Sequence, residues 1–562
     1  MDAPRPSTIR DLFARLAVNA RGALHVIRQN GPGQVQFWFI ALLVGTAAGG
    51  AAVLFRLGIS LLQTTLYGTE DPRLMHSFAE TLPWYMIVLI PVCGGLVVGI
   101  ILDRFTADGR ARSVAEVIEG AALHNGRVET KEGMASAAAS LITLGSGGSS
   151  GREGPVVHLA AVLSSWVLDR INADGITGRD LMGCAVAAAV SASFNAPIAG
   201  ALFALEVVLR HFAVHAFAPI VIASAAGTVI SRLAFGDVTE FVLIEEGILA
   251  FYVELPAFLL LGLLSGLIAV VMMRSIFLAD DFGNHTCKRI GIPRFIRPAV
   301  AGLLLGVLAL GFPHIIGVGY ETTSAALTGQ ILWHEAVVFC AVKVAAVAIT
   351  MGGRMGGGIF SPSIMVGALL GLAFGLTATA TFPNVSGSET LYALAGMGAV
   401  AAAVLGAPIS TTLIVFELTG DWQTGLAVMV AVSMSTAVAS RLVDRSFFLT
   451  QLERRDVHLA KGPQGYLLSL CGVATLMRRP GDPGAASEEA VWAAIADGVW
   501  VDVDGTLEQA MPVFERTGLP FLPVLSFGGE GKPPKVHGAL FHVDALHAFN
   551  RALASTAEEE HS

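Results

Sequence analysis

Residues 145–155 read Gly-Ser-Gly-Gly-Ser-Ser-Gly-Arg-Glu-Gly-Pro. Apolar segments flank this stretch, one ending at Leu144 and the other beginning at Val156. Glycine lets a backbone come close to another group, and proline is common in the first turn of a helix, whose unpaired N–H groups would face the glycines. A glutamate between apolar segments, here Glu153, is costly in a membrane and indicates a function. The stretch therefore predicts an anion site within a membrane, at which Glu153 competes with the anion.

The alternative is a helix-breaking loop that exposes Arg152 and Glu153 to solvent, as a soluble protein would favour. The chain has 562 residues, of which 54% are hydrophobic and 14% are charged, a composition typical of a polytopic membrane protein. Several apolar segments reach the roughly 20 residues that cross a bilayer. The long segments are 37–65, 83–102, 214–231, 252–278, 297–312, 335–351 and 424–440. The composition therefore favours an anion site within a membrane over a solvent-exposed loop.

Shorter apolar segments, broken by Gly or Pro, are typical of half-helices that end inside a membrane protein. They are 156–168, 181–193, 197–209 and 408–418. The cysteines form no CxxC pair, so we expect buried apolar side chains, with no metal site and no disulfide framework. They are Cys93, Cys184, Cys287, Cys340 and Cys471. We expect a transport protein that needs no cofactor, is not an enzyme and binds no nucleic acid.

Arginines predict the orientation in the membrane, because they concentrate on the cytoplasmic side of spans. Residues 1–35 form an amphipathic segment without the continuous apolar core of a signal peptide. Arginines lie in this segment, after the second span and after the last one: Arg10, Arg15, Arg21, Arg28, Arg104, Arg110, Arg112, Arg441, Arg445, Arg454 and Arg455. The protein is therefore predicted to lie in the cell (inner) membrane, with its N- and C-termini on the cytoplasmic side.

Two stretches of the chain repeat each other. Residues 196–206 and 407–417 both follow the pattern Ala-Pro-Ile-x-x-x-Leu-x-x-x-Glu, and a glycine-rich loop closed by proline precedes each, at 151–155 and 356–362. The chain is therefore predicted to be a duplication, with halves at about 37–235 and 252–445. Interrupted helices in corresponding positions of two halves indicate a binding site at their interface near the midplane. The backbone N–H groups of Ile359 and Phe360 are the candidate donors.

The segments GREGP at 151–155, GIFSP at 358–362 and FNAPIAGALFALE at 194–206 resemble the signature segments of the CLC chloride channel and transporter family. The resemblance covers about residues 37–455. It implies an all-α polytopic membrane protein with the CLC fold, in which two inverted repeats of tilted, interrupted helices surround a dehydrated chloride site. It also implies a homodimer with one pore in each subunit.

The resemblance assigns site residues position by position. Glu153 matches the gating glutamate, with Gly154 beside it in the anion-binding loop, and Ile359 and Phe360 match the amide donors. Phe448 falls where the family usually has an anion-contacting tyrosine. The missing hydroxyl would leave a weaker or wider inner gate.

Two departures from the family pattern bear on selectivity and mechanism. Residues 111–116 replace the family motif Gly-Ser-Gly-Ile-Pro-Glu, so that its serine falls at Arg112, while a shift of one residue would place Ser113 there. Arg112 would either concentrate anions in the vestibule or act as a structural cation at a helix end. Val207 stands where proton-coupled members usually have an inner glutamate. Since valine cannot relay a proton, the sequence favours a chloride channel over a proton-coupled exchanger, which is the alternative.

An alternative from another class is an intramembrane serine protease. Residues 148–151 match the GxSG pattern of rhomboid-like proteases, with Ser150 as nucleophile and His211 or His215 as base. This pattern is short and explains neither the duplication nor the second glycine loop. A channel reading explains both.

Other polar residues in apolar surroundings have two possible roles each. Glu206 and Glu417 are expected to bond helix-end amides, and His158 to pack between helices. Arg152 is expected to hold the geometry of the loop. Lys343 and Arg354 would either raise the potential felt by an anion or pair with Glu417 or a helix C-terminus. The list of such residues is short enough for each to be located individually in the structure.

The chain after residue 456 has a soluble composition. Its pattern predicts a linker or degenerate first CBS module at 457–498, a CBS-like α/β module with the order β-α-β-β-α at 499–555, and a disordered tail at 556–562. Phe541 lies three residues before Asp544, where nucleotide-binding modules have Ser or Thr. We therefore do not expect the module to bind an adenine nucleotide.

Overall fold

The computed structural model describes residues 32–561 except 69–70, 72–73, 172–174, 213, 237–240, 242–250, 458, 460–466, 469–470, 504 and 527–534. Residues 1–31 of the amphipathic segment predicted at 1–35 lie outside the described residues, as does the glycine-rich loop 528–531, which the sequence predicts between two strands of the α/β module. The chain divides into two compact units, one ending at Arg455 and one beginning at Asp456. This division falls next to the boundary predicted from composition.

The first unit is helical throughout its described part. Its helices in the first half are α1 (Gln34–Tyr67), α2 (Met75–Ala79), α3 (Trp84–Phe105), α4 (Val114–Leu123), α5 (Thr130–Gly145), α6 (Glu153–Ile171), α7 (Gly175–Phe194), α8 (Pro197–Phe203) and α9 (Val214–Phe235). A π-helical turn, Ala204–Leu209, continues α8. The second half contains α10 (Phe251–Ile290), α11 (Arg297–Gly311), α12 (Tyr320–Leu327), α13 (Trp333–Gly352), α14 (Phe360–Thr381), α15 (Glu389–Leu405), α16 (Pro408–Thr419), α17 (Trp422–Leu442) and α18 (Phe447–Glu453).

Within the described residues, eight helices are long and apolar enough to cross a bilayer. The sequence of elements α6–α7–α8–α9 recurs as α14–α15–α16–α17: a glycine loop, two helices, a short helix that begins at proline, and a long helix. Short apolar helices occur at Pro197–Leu209 and Pro408–Thr419, in corresponding positions of the two halves. The predicted all-α membrane fold built from two repeats is confirmed.

The second unit is a small α/β unit. Its elements are α19 (Val473–Leu476), α20 (Glu488–Ala496), β1 (Val501–Asp502), α21 (Leu507–Thr517), β2 (Phe521–Ser526), β3 (Lys535–Phe541) and α22 (His542–His561). The sheet order is β1-β2-β3, with β1 parallel and β3 antiparallel to β2. Buried apolar residues such as Leu507, Phe514 and Leu540 fill the space between the sheet and the helices. The predicted β-α-β-β-α order is present, and its likeness to a CBS module stays a prediction.

Arg478 connects the start of this unit to its last helix. Its Nε and Nη2 donate to the two carboxylate oxygens of Asp544, at 2.7 and 3.0 Å, and its guanidinium carbon lies 4.3 Å from the centre of the Phe541 ring. The hydrogen bond to Asp544 raises the pKa of the Arg478 guanidinium. The helix α22 extends to His561, so residues 556–561 are helical where the sequence analysis predicts disorder. Alanine and glutamate, both good helix formers, dominate this end of the chain.

Small residues allow the membrane helices to pack with their backbones in contact. A Cβ atom on Gly371 of α14 would lie 2.8 Å from the Cα of Ala393 in α15, and one on Gly396 of α15 would lie 2.9 Å from the Cα of Gly371. Such close approach maximises dispersion contacts where no hydrophobic effect acts between helices. The pair α14–α15 therefore forms a rigid support for the loop at which α14 begins.

We expect Gly371→Ala to destabilise the protein by about 1–3 kcal/mol, because the added methyl group meets backbone that cannot move aside. The midpoint of thermal unfolding of the purified protein in detergent measures this loss. Gly50→Ala is the matched control, since Gly50 lies inside α1 and a Cβ there would meet nothing within 4 Å. Equal stability of the two variants would contradict the proposed role of the α14–α15 contact.

Candidate anion site

The two glycine loops meet in the interior of the first unit. The N–H of Gly151 donates to the carbonyl of Gly358 and the N–H of Gly358 donates to the carbonyl of Gly151, both at 2.7 Å. A Cβ on Gly358 would lie 2.9 Å from the backbone nitrogen of Gly154, so a side chain has no room at this contact. The pairing places the first turns of α6 and α14 side by side. The predicted meeting of the two repeats at their glycine loops is thereby observed.

Further hydrogen bonds hold the two glycine loops against neighbouring segments of the first unit. The hydroxyl of Thr143 donates to the carbonyl of Met355, and the N–H of Ser149 donates to Thr350 Oγ1 at 3.2 Å. The N–H of Gly317 donates to the carbonyl of Gly147 at 3.2 Å. Each bond joins residues far apart in sequence, so the loops are held by the tertiary fold and not by local turns alone.

Lys343 supports the same region from α13. Its side chain is completely buried, and its Nζ donates to the carbonyl oxygens of Gly317 at 3.1 Å and Ile315 at 3.3 Å. Because Gly317 bonds Gly147, the ammonium group braces the first glycine loop through one intervening residue. Lys343 thus bonds backbone carbonyls, and the expected partner Glu417 instead bonds the start of α8.

Glu153 is the first residue of α6, and its side chain crosses to α14. Its carboxylate is 3% exposed, and its Oε1 accepts a hydrogen bond of 2.5 Å from the hydroxyl of Ser361. Arg152 Nε lies 4.0 Å from the same oxygen. The side chain therefore places a negative charge at the N-terminus of the helix in the opposite repeat, as the macrodipole favours.

Ser361 is a functional candidate that the sequence analysis missed. Ser361 lies within the GIFSP segment, and a hydroxyl in the first turn of a helix is a natural partner for an anion. The available signal was its position one residue after the two predicted amide donors. Ile359 and Phe360 are buried at 1% and 4% exposure, directly before it. The Phe360 ring packs against Phe194 and Phe203, with ring centres 4.7 and 5.9 Å away.

The structure distinguishes Ser113 from Arg112. Ser113 is the N-cap of α4, and its Oγ lies 2.6 Å from where a Cβ on Gly154 would be, so it borders the site. The Arg112 guanidinium instead pairs with Glu132 at 2.7 Å and with Asp108 at 3.3 Å. Of the two alignments left open by the sequence, the one with Ser113 at the site agrees with this geometry. Arg112 is in the position of the structural cation.

Phe448 and Val207 are both buried, at 3% and 6% exposure. Phe448 lies in α18, which packs against α4, and Val207 lies in the π-helical turn that follows α8. A π-helical turn often marks a functional segment. At Val207 it presents an apolar side chain, which neither donates nor accepts a proton.

Glu206 and Glu417 form a reciprocal pair of helix caps. Glu206 accepts from the N–H groups of Ile409 and Ser410 at the start of α16, at 2.9 and 2.8 Å. Glu417 accepts from Ile198 and Ala199 at the start of α8, at 2.9 and 2.7 Å. Each half of the chain thus supplies the cap of the equivalent helix in the other half, and both glutamates have the predicted role at helix-end amides.

The remaining polar candidates have structural positions. Arg152 donates from Nη2 to the carbonyl of Ser193 at 3.1 Å and lies 5.2 Å from the Tyr320 ring centre, so it holds the loop. His158 is 3% exposed and packs against Gly133, as expected for a histidine between helices. Arg354 donates to the carbonyl of Asp108 at 3.0 Å. None of these groups contacts the Glu153 carboxylate by a hydrogen bond among the described residues.

The protease alternative receives no support. Ser150 Oγ is completely buried and has no hydrogen-bond partner among the described residues, so no base is paired with it there. His211 Nδ1 lies 2.9 Å from the carbonyl of Leu209, close to it in sequence. A nucleophile needs a general base within hydrogen-bond reach. Ser150 lies instead against Gly357, in the wall of the site.

Comparison with known proteins agrees with this geometry. A family model described as voltage gated chloride channel matches residues 94–440. A putative chloride channel protein, ClcB-like, from Ralstonia nicotianae is 31% identical over 397 residues, which are 70% of this chain and 91% of that protein. The structure is similar to that of a slow cyanobacterial Cl⁻/H⁺ antiporter, with a TM-score of 0.66 and 20% identity over 75% of this chain and 97% of that one. It is also similar to a CLC-type fluoride/proton antiporter, with a TM-score of 0.60 and 19% identity over 72% and 95% of the two chains.

Proposed function

This chain belongs to the voltage-gated chloride channel (CLC) family, and on that premise we propose that it conducts chloride passively through a pore gated by Glu153. The observation that carries the proposal is the buried Glu153 carboxylate at the N-terminus of α14, bonded to Ser361. A site that accommodates a carboxylate inside the membrane also suits a monovalent anion. Chloride would occupy this position when the side chain leaves it.

The donors around the site favour rapid conduction. Helix N-termini and hydroxyl groups carry partial charges, which stabilise an anion without the strong hold of a full cation. An ion that is bound too tightly could not leave, so partial charges suit a conducting pore. Chloride would be coordinated by the N–H groups of Ile359 and Phe360 and, on the side of α4, by Ser113.

Passive conduction is favoured by Val207. It is buried in the π-helical turn at the position that the family resemblance gives to the inner proton-carrying glutamate. The adjacent Glu206 is committed to the N-terminus of α16 through two backbone N–H groups. Neither residue offers a carboxylate that is free to carry protons toward Glu153.

The proposed assembly is a homodimer with one pore in each subunit, embedded in the cell (inner) membrane with both termini cytoplasmic. The family resemblance supports the dimer. The arginines that follow α3 and α17 support the orientation, because positively charged residues are retained on the cytoplasmic side. No cofactor and no enzymatic step are needed for this function.

A proton-coupled anion exchanger is the second candidate. The two solved structures compared with this chain above are of antiporters. A bilayer experiment with opposed chloride and pH gradients separates the two functions. For a channel, the reversal potential of the reconstituted protein follows the chloride gradient and is unaffected by the pH gradient. Chloride flux that drives uphill proton movement would overturn the channel proposal and establish the exchanger.

Neutralising the gate should open the pore. Glu153→Gln removes the negative charge that competes with chloride, so we expect higher chloride efflux from proteoliposomes at neutral pH and little change in efflux between pH 7 and pH 4. The wild type should show efflux that rises as protonation of Glu153 releases the side chain. Glu335→Gln is the control, since Glu335 is a glutamate that caps only its own helix. An unchanged pH profile in Glu153→Gln would refute the gate.

Ser361 should stabilise the closed position of that gate. Ser361→Ala removes a hydrogen bond to a carboxylate, worth about 1.5 kcal/mol, which is roughly a tenfold shift toward the open pore. Efflux at neutral pH should rise while its pH dependence persists, because Glu153 still titrates. The matched control is Ser363→Ala, since Ser363 lies in the same helix and bonds only the carbonyl of Ile359 at 2.7 Å. Identical efflux from both serine variants would show that the Ser361 bond does not hold the gate.

A further inference from the structure

A cleft lined by arginines adjoins Ser113, on the side that the arginine distribution predicts to be cytoplasmic. Its volume is about 80 Å³, enough for a small anion with few waters. Four guanidinium groups and one carboxylate line it: Arg110, Arg354, Arg454, Arg455 and Asp280. Gly356 and Gly357 of the second glycine loop also belong to its wall. The cleft is therefore an arginine-lined approach to the anion site, in which Arg110 and Arg354 pair with Asp280 and Arg454 pairs with Asp281.

Glu116 is bonded to two residues that line this cleft, and its bond to the N-cap residue Ser113 is part of the capping box of α4. Glu116 Oε2 accepts from the N–H of Ser113 at 2.6 Å, and Glu116 Oε1 pairs with Nη1 of Arg455. Ser113 and Arg455 both line the cleft, and one is a helix N-terminal amide and the other a cation. These are the two kinds of group that would bind an anion arriving there.

Buried hydroxyl groups beside the cleft provide a second, independent indication of a ligand. Ser140 Oγ and Ser150 Oγ are completely buried and have no hydrogen-bond partner among the described residues. Ser140 Oγ lies 3.1 Å from where a Cβ on Gly356 would be, and Ser150 lies against Gly357 in the same way. A buried hydroxyl without a partner is unfavourable, so these two donors are suited to an anion or its water in the adjoining wall.

Glu116 also has a second partner available. Arg112 Nη1 lies 3.8 Å from Glu116 Oε1, outside the hydrogen bonds that Arg112 makes with Glu132 and Asp108. A small rotation of the Glu116 side chain toward Arg112 would release Ser113 and Arg455 together. The Glu116 carboxylate would then exchange Arg455 for Arg112 and would keep a cation beside it throughout the rotation.

We propose that Glu116 is an inner tether: its carboxylate occupies an anion position between Ser113 and Arg455, and an anion arriving through the arginine cleft must displace it. The proposal rests on the proposed conduction of anions. It gives the inner end of the pore a carboxylate competitor of its own, distinct from Glu153. Because the anion must displace this carboxylate, Glu116 sets the chloride concentration at which the cleft side fills.

The test is the chloride dependence of current through single reconstituted proteins, measured separately from the two sides. In Glu116→Gln, the ion pair with Arg455 is lost, and the half-saturating chloride concentration on the cleft side should fall roughly tenfold, the factor for one charge-assisted hydrogen bond. On the opposite side it should be unchanged. Glu119→Gln is the matched control, because Glu119 lies in the same helix and faces His124 at 3.7 Å. Equal cleft-side values in Glu116→Gln and the wild type would overturn the proposal.

Two further measurements keep the outcomes distinct. Glu116→Asp keeps the charge but is too short to reach both Ser113 and Arg455, so it should shift the cleft-side value in the same direction as Glu116→Gln. A value equal to that of the wild type would show a long-range effect of charge and overturn the tether. Calorimetric titration of the purified variants with bromide reports the same affinities without conduction. Absence of any anion current in the wild type would defeat the proposed function, whereas normal current with unshifted affinities defeats the tether alone.

Discussion

The two hydrogen bonds between Gly151 and Gly358 are the constraint on which the rest of the membrane unit depends. They fix the starts of α6 and α14 side by side, and this alone allows Glu153 on one helix to reach Ser361 on the other. The contact leaves no room for a side chain, so the two glycines are required by geometry and not by flexibility. Thr143, Ser149 and Lys343 act behind this contact, and each of their bonds serves to keep the loops at that separation.

Four glutamates of the membrane unit share one arrangement, in which the carboxylate lies at the start of a helix. Glu153 is placed at the start of α14, Glu206 at the start of α16, Glu417 at the start of α8 and Glu116 at the start of α4. In the last three cases the charge is stabilised by N–H groups that would themselves lack acceptors in an apolar surrounding, and at Glu153 it is stabilised by the Ser361 hydroxyl. Whether such a glutamate only caps a helix or also competes with an anion then depends on what else surrounds its carboxylate. Glu206 and Glu417 cap helix ends, whereas Glu153 lies at the meeting point of the two glycine loops and Glu116 bonds Ser113 and Arg455 in the wall of the arginine cleft.

The sequence was sufficient to predict the membrane class, the duplication, the two glycine loops and Glu153, because each leaves a local pattern of composition or spacing. It was not sufficient for partners that are distant along the chain. Ser361 bonds a residue 208 positions away, and no spacing rule links the two. The choice between Arg112 and Ser113 turned on which side chain faces Gly154 and which faces Glu132, and that depends on how α4 and α5 pack. The helical end of α22 was missed because a short charged segment at a chain terminus has no periodicity to indicate its structure.

The exchange of caps between Glu206 and Glu417 has a consequence for biosynthesis. Ile198 and Ala199 are made long before Glu417, which is 218 residues downstream of Ala199. Until the second half has been inserted, the start of α8 has no acceptor for these N–H groups, and lipid provides none. The first half can therefore complete its own membrane helices but cannot reach its final stability alone. Folding of the membrane unit therefore joins two incomplete halves. Both reciprocal caps can form only after the last turn of α16, which carries Glu417, has been synthesised.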